Sequence, residues 1–206
     1  MNLIKKIVAT LLVLVLAFSF TGCGKKAQED SNKNGKQEKV TTEEKKDKKE
    51  VKKILAEELV TKEEMSAITG FEIETIDLYD NDFLGLLGGN YRPANEKRKG
   101  FTLYCYQQPY CGAANDDVDH PEFNRTVKAE YEKYKSWRVE NKTLEVVEDL
   151  GQDAFWDTAG DTLFVLYNDD YYLNITDNVS KDSATKKAIS IKIAEKAVES
   201  LSEKVK

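Results

Sequence analysis

The sequence predicts an α+β domain built on an antiparallel sheet of about five to six strands with three helices. Three observations predict it. The elements run helix, two strands, helix, four short strands, helix, an order in which strands cluster rather than alternate with helices. Gly100 to Gln107 alternates cleanly, with Phe101, Leu103 and Cys105 on one face and Thr102, Tyr104 and Tyr106 on the other. Thr162–Tyr167 and Tyr171–Thr176 flank an Asn168-Asp169-Asp170 turn and form a hairpin.

Two segments precede that domain. At the N-terminus, Lys5 and Lys6 are followed by an uncharged, mostly apolar run from Ile7 to Phe20 and then by Thr21, Gly22 and Cys23. This is the charged, apolar and small-residue pattern of a secretory signal. Fourteen helical residues span about 21 Å at 1.5 Å each, short of the roughly 30 Å hydrocarbon core, so a cleaved signal is expected over residues 1–22 rather than a permanent span. Residues 23–53 are low-complexity. From Gly24 to Lys53 there are eleven Lys and seven acidic residues, with almost no aromatic or branched apolar side chains, so the stretch cannot bury enough surface to offset chain entropy. It reads as a disordered tether carrying +4, beside a domain at 54–206 that carries −12.

Within the domain, Ile54, Leu55, Leu59 and Val60 begin an apolar face. Thr61 with Glu64 makes a capping box leading into Met65 and Ile68, and Gly70 stops the helix. Phe71–Tyr79 reads as a strand, followed by a glycine-bearing loop from Asn81 through Pro93. After the Gly100–Gln107 strand and a polar loop, Pro121 marks a helix start. Phe123, Val127, Tyr131, Tyr134 and Trp137 or Arg138 form its packed stripe. Strands at Thr143–Glu148 and Asp153–Trp156 precede the hairpin. A helix over Lys181–Glu203 closes the chain, its apolar face built from Ala184, Ala188, Ile191, Ala194, Val198 and Leu201.

The two sheet faces differ in chemistry. Leu103, Cys105, Leu163, Val165, Leu173 and Ile175 make an aliphatic face expected under the C-terminal helix. Tyr104, Tyr106, Phe164, Leu166, Tyr172 and Asn174 make an aromatic face with polar tips. Amphipathic aromatics favour contact surfaces, so Tyr104, Tyr106, Phe164 and Tyr172, together with Trp156, form the candidate binding surface. The simpler alternative is that the second helix covers them. Five residues, including Pro109, separate Cys105 from Cys111 in a domain expected to be exported, where disulfides persist, and a bridge between them is expected.

Several chemistries find no support. A net charge of −6 argues against phosphate-backbone binding, and a mean hydropathy of −0.58 against a polytopic membrane protein. The single histidine, His120, stands in an acidic loop. Asp80, Asp82 and Gly85 fit the first, third and sixth positions of a calcium loop, but Leu84 and Tyr91 occupy ligand positions, and Asn115, Asp116, Asp117 and Asp119 read as a solvated loop. There is no nucleophile elbow, phosphate loop or dinucleotide fingerprint. No metal, cofactor or catalytic residue is expected.

Phe20-Thr21-Gly22-Cys23 resembles the bacterial lipobox, with Phe in place of the usual Leu. The resemblance implies a diacylglyceryl group on Cys23, with or without a third acyl chain such as palmitate, and cleavage before Cys23. The run Val147 to Trp156, the Leu163–Val165 and Tyr172–Ile175 strands and the closing helix resemble a class of uncharacterised bacterial envelope lipoproteins. Some of these resemble extracellular receptor-kinase sensor domains. Together these imply a lipid-anchored protein on the extracytoplasmic side of the cell membrane. Its domain is expected to bind a small molecule or an envelope protein without catalysis. The alternatives are a purely protein-binding envelope module and, more remotely, a carboxylate hydrolase.

Overall fold

The computed structural model describes residues 52–96, 98–111 and 126–205, all within one compact unit. The signal, Cys23, the tether up to residue 51, His120, Pro121, Phe123 and the acidic cluster at 115–119 lie outside these residues.

The domain is α+β, with one antiparallel sheet. Its strands are β1 (Ile73–Asn81), β2 (Leu86–Pro93), β3 (Phe101–Gln107), β4 (Leu144–Val146), β5 (Asp153–Asp157), β6 (Thr162–Asn168) and β7 (Tyr171–Asp177). They lie in the order β1-β2-β3-β7-β6-β5-β4, every neighbouring pair antiparallel. Two meanders thus meet at the β3–β7 pair. The helices are α1 (Ala56–Leu59), α2 (Lys62–Thr69), α3 (Val127–Glu140) and α4 (Ser183–Lys204).

Seven strands and four helices exceed the expected five to six and three, and each excess has a local cause. The segment expected as a loop after Asn81 contains β2, an inner strand. Its Gly88 and Gly89 weaken any strand signal, yet both are demanded by packing. A Cβ on Gly88 would lie 2.1 Å from Cδ1 of Tyr104, and one on Gly89 would lie 2.8 Å from Cγ2 of Ile76 and 3.1 Å from Cβ of Ala56. The single helix expected from Ile54 is two. Val60 is extended (φ −142°, ψ 114°) and separates one turn of α1 from α2. The Thr61/Glu64 capping box forms as expected, and Gly70 takes the left-handed conformation (φ 75°) that ends α2.

The aliphatic face carries the main core. Leu103, Cys105, Leu163, Val165, Leu173 and Ile175 pack under α4, against Ile193, Ala194, Ala197 and Leu201. Of the expected α4 stripe, Ala194 and Leu201 are buried and Ile191 and Val198 pack against the core, while Ala184 and Ala188 are exposed and Ser190, Ile193, Ala197 and Ser200 are buried instead. The Ser200 hydroxyl donates to the Leu59 carbonyl at 2.8 Å, tying α4 to α1. Gln107, 1% exposed, fixes the chain entry: its amide donates to the Ile54 carbonyl at 2.7 Å and its carbonyl oxygen accepts the Ile54 N–H at 3.1 Å. The Tyr91 hydroxyl lies 2.8 and 2.6 Å from the Ala56 and Val60 carbonyls, and its one hydrogen is shared between them.

Candidate functional site

Register places each candidate residue on a definite face. Tyr79, Gly88, Tyr104, Asn174, Phe164 and Phe155 lie across from one another on successive strands, all on the second face. Trp156 pairs with Leu163, which pairs with Ile175 and so with Leu103. It therefore lies on the aliphatic face, in the main core and 1% exposed. Trp156 and Tyr104 point to opposite sides of the sheet, and no cleft can form between them.

Most of the remaining candidates are covered by α3. Phe164 and Tyr172 are buried with Phe155 and Leu166 beneath Val127 and Tyr131, and Tyr106 packs against the same cluster. Tyr106 stacks on Tyr172 with centroids 4.1 Å apart, and Phe155 on Phe164 at 4.8 Å. Burial pushes the Tyr106 hydroxyl up to about 12, and burial raises Tyr172 and Tyr131 further, so all three stay neutral.

The covering helix is held by charge at both ends of β5. Tyr131 donates to Asp153 at 2.9 Å and Lys135 pairs with the same oxygen. One turn on, Arg138 pairs with Asp157 at 3.0 Å, the carboxylate being 3% exposed. The Arg138 guanidinium also lies 5.2 Å from the Phe164 centroid and 4.5 Å from that of Trp137. The sequence left Trp137 or Arg138 as the packed residue. Arg138 faces the sheet, while Trp137 is exposed.

The part of this face around Tyr79, Gly88 and Tyr104 is different. No described helix covers it. Tyr104 lies half-buried over the bare backbone of Gly88, its ring 5.8 Å from that of exposed Tyr79. Beside them runs a polar row across five strands: Asp77, Asn90, Thr102, Thr176 and Thr162. Asp77 pairs with Arg92, and the Thr162 and Thr176 hydroxyls are 3.2 Å apart. The sequence marked Tyr104 here but not Tyr79, Asp77, Asn90 or Arg92. Once Leu86–Pro93 is read as a strand, the alternation on β1 and β2 places all four on this face.

Two open concavities lie among the described residues. One of about 340 Å³ lies along α3 at Lys133, Tyr134, Trp137 and Arg138. Another, of about 770 Å³, separates α2 from α4 and is bridged by Lys196, which pairs with Glu64 at 3.1 Å and Glu199 at 3.0 Å. Among the described residues no His, Cys, Asp and Glu side chains gather as a metal site. Carboxyls that clearly depart from their ordinary range move down. The Leu55 and Thr61 backbone N–H groups hold down Glu58 and Glu64, hydrogen bonds from Tyr110 and Lys53 hold down Asp80, Lys186 holds down Asp161, and the Thr185 N–H holds down Asp182.

The expected bridge between Cys105 and Cys111 is not present. Both are buried, with no bond joining them. Cys105 points into the main core, where burial pushes its thiol up. The chain beyond β3 makes a turn at Gln108–Tyr110 that seats Cys111 against Gly85, with its sulfur 3.4 Å from the Phe83 carbonyl.

No family model, curated protein or solved structure matches the chain.

Proposed function

We propose that this chain is a lipid-anchored extracytoplasmic lipoprotein whose domain binds a protein partner without catalysis. In this reading residues 1–22 are a signal, Cys23 carries the lipid and residues 23–53 form the tether. A flexible chain of that length has a root-mean-square span of about 30 Å, enough to stand the domain off the bilayer. Its lysines favour an anionic leaflet, and the −12 domain is repelled from it.

One observation carries the binding assignment. On the second sheet face α3 covers the part over β5, β6 and β7, while the part around Tyr79 and Tyr104 has no described helix over it. Amphipathic aromatics of this kind are favoured at protein contact surfaces. The domain's acidity favours a neutral or cationic partner.

The test has two parts. Cys23→Ala should abolish membrane partitioning of the processed protein, and unchanged partitioning overturns the anchor. Proteins that copurify with the detergent-extracted chain should be lost on combined Tyr79→Ala and Tyr104→Ala substitution. Their retention on a folded double variant overturns the assigned surface.

A further inference from the structure

The free edge of β1 is the longest unpaired stretch of backbone in the described sheet. β1 has nine residues and pairs on one side only, with β2, whereas the opposite edge, β4, has three. An edge of that length exposes a row of N–H and C=O groups able to hydrogen-bond another strand. Its first residues are guarded: the register slips between Ile73 and Thr75, and Lys62 donates to the Glu74 carbonyl at 3.4 Å. From Thr75 to Asn81 the register is regular. Seven residues at about 3.3 Å each make a ladder about 23 Å long.

The side chains along this edge are acidic and apolar. Glu72, Glu74, Asp77, Asp80 and Asp82 lie on or beside β1. Arg92 answers Asp77 and Lys53 answers Asp80, while no described cation pairs with Glu72, Glu74 or Asp82. Between them Leu78 is 55% exposed and Tyr79 is 45% exposed. Like charges facing each other across a strand pair are destabilising, so two copies of β1 are discouraged from pairing. The same charges favour a strand that brings cations.

We infer that β1 accepts an added strand from a Lys- or Arg-bearing extended segment of the protein partner. This rests on the partner-binding reading and names where the partner docks. Main-chain hydrogen bonds from Thr75 to Asn81 supply the ladder, the acidic residues select the basic strand, and Leu78 and Tyr79 receive its apolar side chains on alternate faces.

The probe is a blocked eight-residue peptide alternating lysine with threonine and valine, titrated into the full chain in detergent and followed by amide hydrogen exchange. Two control peptides accompany it, one N-methylated at alternate residues and one with glutamate for lysine. The lysine peptide should bind saturably and slow exchange within residues 73–81, with both controls at least tenfold weaker. Combined Glu72→Lys, Glu74→Lys and Asp82→Lys substitution, at exposed positions that leave the fold unchanged by circular dichroism, should weaken the lysine peptide at least tenfold. Equal binding of the N-methylated peptide, protection elsewhere, or no binding overturns strand addition. If the peptide fails while a copurifying protein is still lost from the Tyr79/Tyr104 double variant, the partner-binding reading stands and only its docking edge is wrong. If both fail, the binding reading falls too.

Discussion

Gly88→Ala tests the seat of Tyr104 without touching the main core. The added methyl would lie 2.1 Å from Cδ1 and 2.7 Å from Cε1 of the Tyr104 ring, and 3.0 Å from the Leu103 carbonyl. Ordinary carbon contacts are about 3.5–4.0 Å, so the ring must move by about 1.5 Å or leave its rotamer. Overpacking of this kind costs about 1–3 kcal/mol, partly offset by the roughly 0.5–1 kcal/mol gained when alanine replaces glycine in a strand. The expected net loss is up to about 2.5 kcal/mol, read as a lower urea midpoint with unchanged slope and a melting temperature lowered by up to about 8 °C. Tyr104 and Tyr79 ring resonances should shift together. Tyr104→Ala in the same chain should restore most of the loss, because the two changes share one contact. A Gly88→Ala protein as stable as the parent, with Tyr104 resonances unmoved, refutes the packing described for this face.

The cover on the other half of the face is testable through its anchor. Arg138→Met leaves the buried Asp157 carboxylate without its cation, and the loss should be about 3–5 kcal/mol by chemical denaturation. Combined Arg138→Met and Asp157→Leu should recover much of it, and a single variant that loses less than about 1 kcal/mol contradicts the pairing. Alkylation in denaturant without reductant should label both Cys105 and Cys111, and a resistant pair would restore the bridge. Acid should destabilise the domain. Glu58, Glu64, Asp161 and Asp182 have folded-state pKa values below their unfolded ones, so their contribution is present above about pH 4 and is lost as pH falls through the folded values. Asp182→Asn, which keeps the cap of α4, should shallow that slope, and an unchanged urea midpoint between pH 6 and pH 3 counts against these contacts.

What the sequence made legible depended on how sharply each segment separated its two faces. On β3 burial alternates without exception, and the assignment of Leu103, Cys105, Tyr104 and Tyr106 to their faces holds in the structure. Ala154, Phe155, Trp156 and Asp157 are all buried, so β5 carries no alternation and the face of Trp156 is fixed only by its register with Leu163. β2 was hidden because its two glycines answer to residues on other elements, Tyr104 on one side and Ile76 with Ala56 on the other. The α4 stripe was legible at Ile191, Ala194, Val198 and Leu201 but not at Ser190 and Ser200, whose polarity hides their burial. The α3 stripe was readable from Val127, Tyr131 and Tyr134. That α3 lies over β5, β6 and β7, with no described helix over Tyr79 and Tyr104, is a property of the sheet order and not of any one segment.

The decisive measurement compares amide hydrogen exchange in the full chain recovered with its copurifying proteins with that in the full chain alone. Added protection is expected in the partnered chain over residues 73–93 and 101–106, with residues 127–140 of α3 unchanged. Added protection confined to α3, or none on the sheet, would contradict the assignment of the open face of β1–β3 as the contact surface.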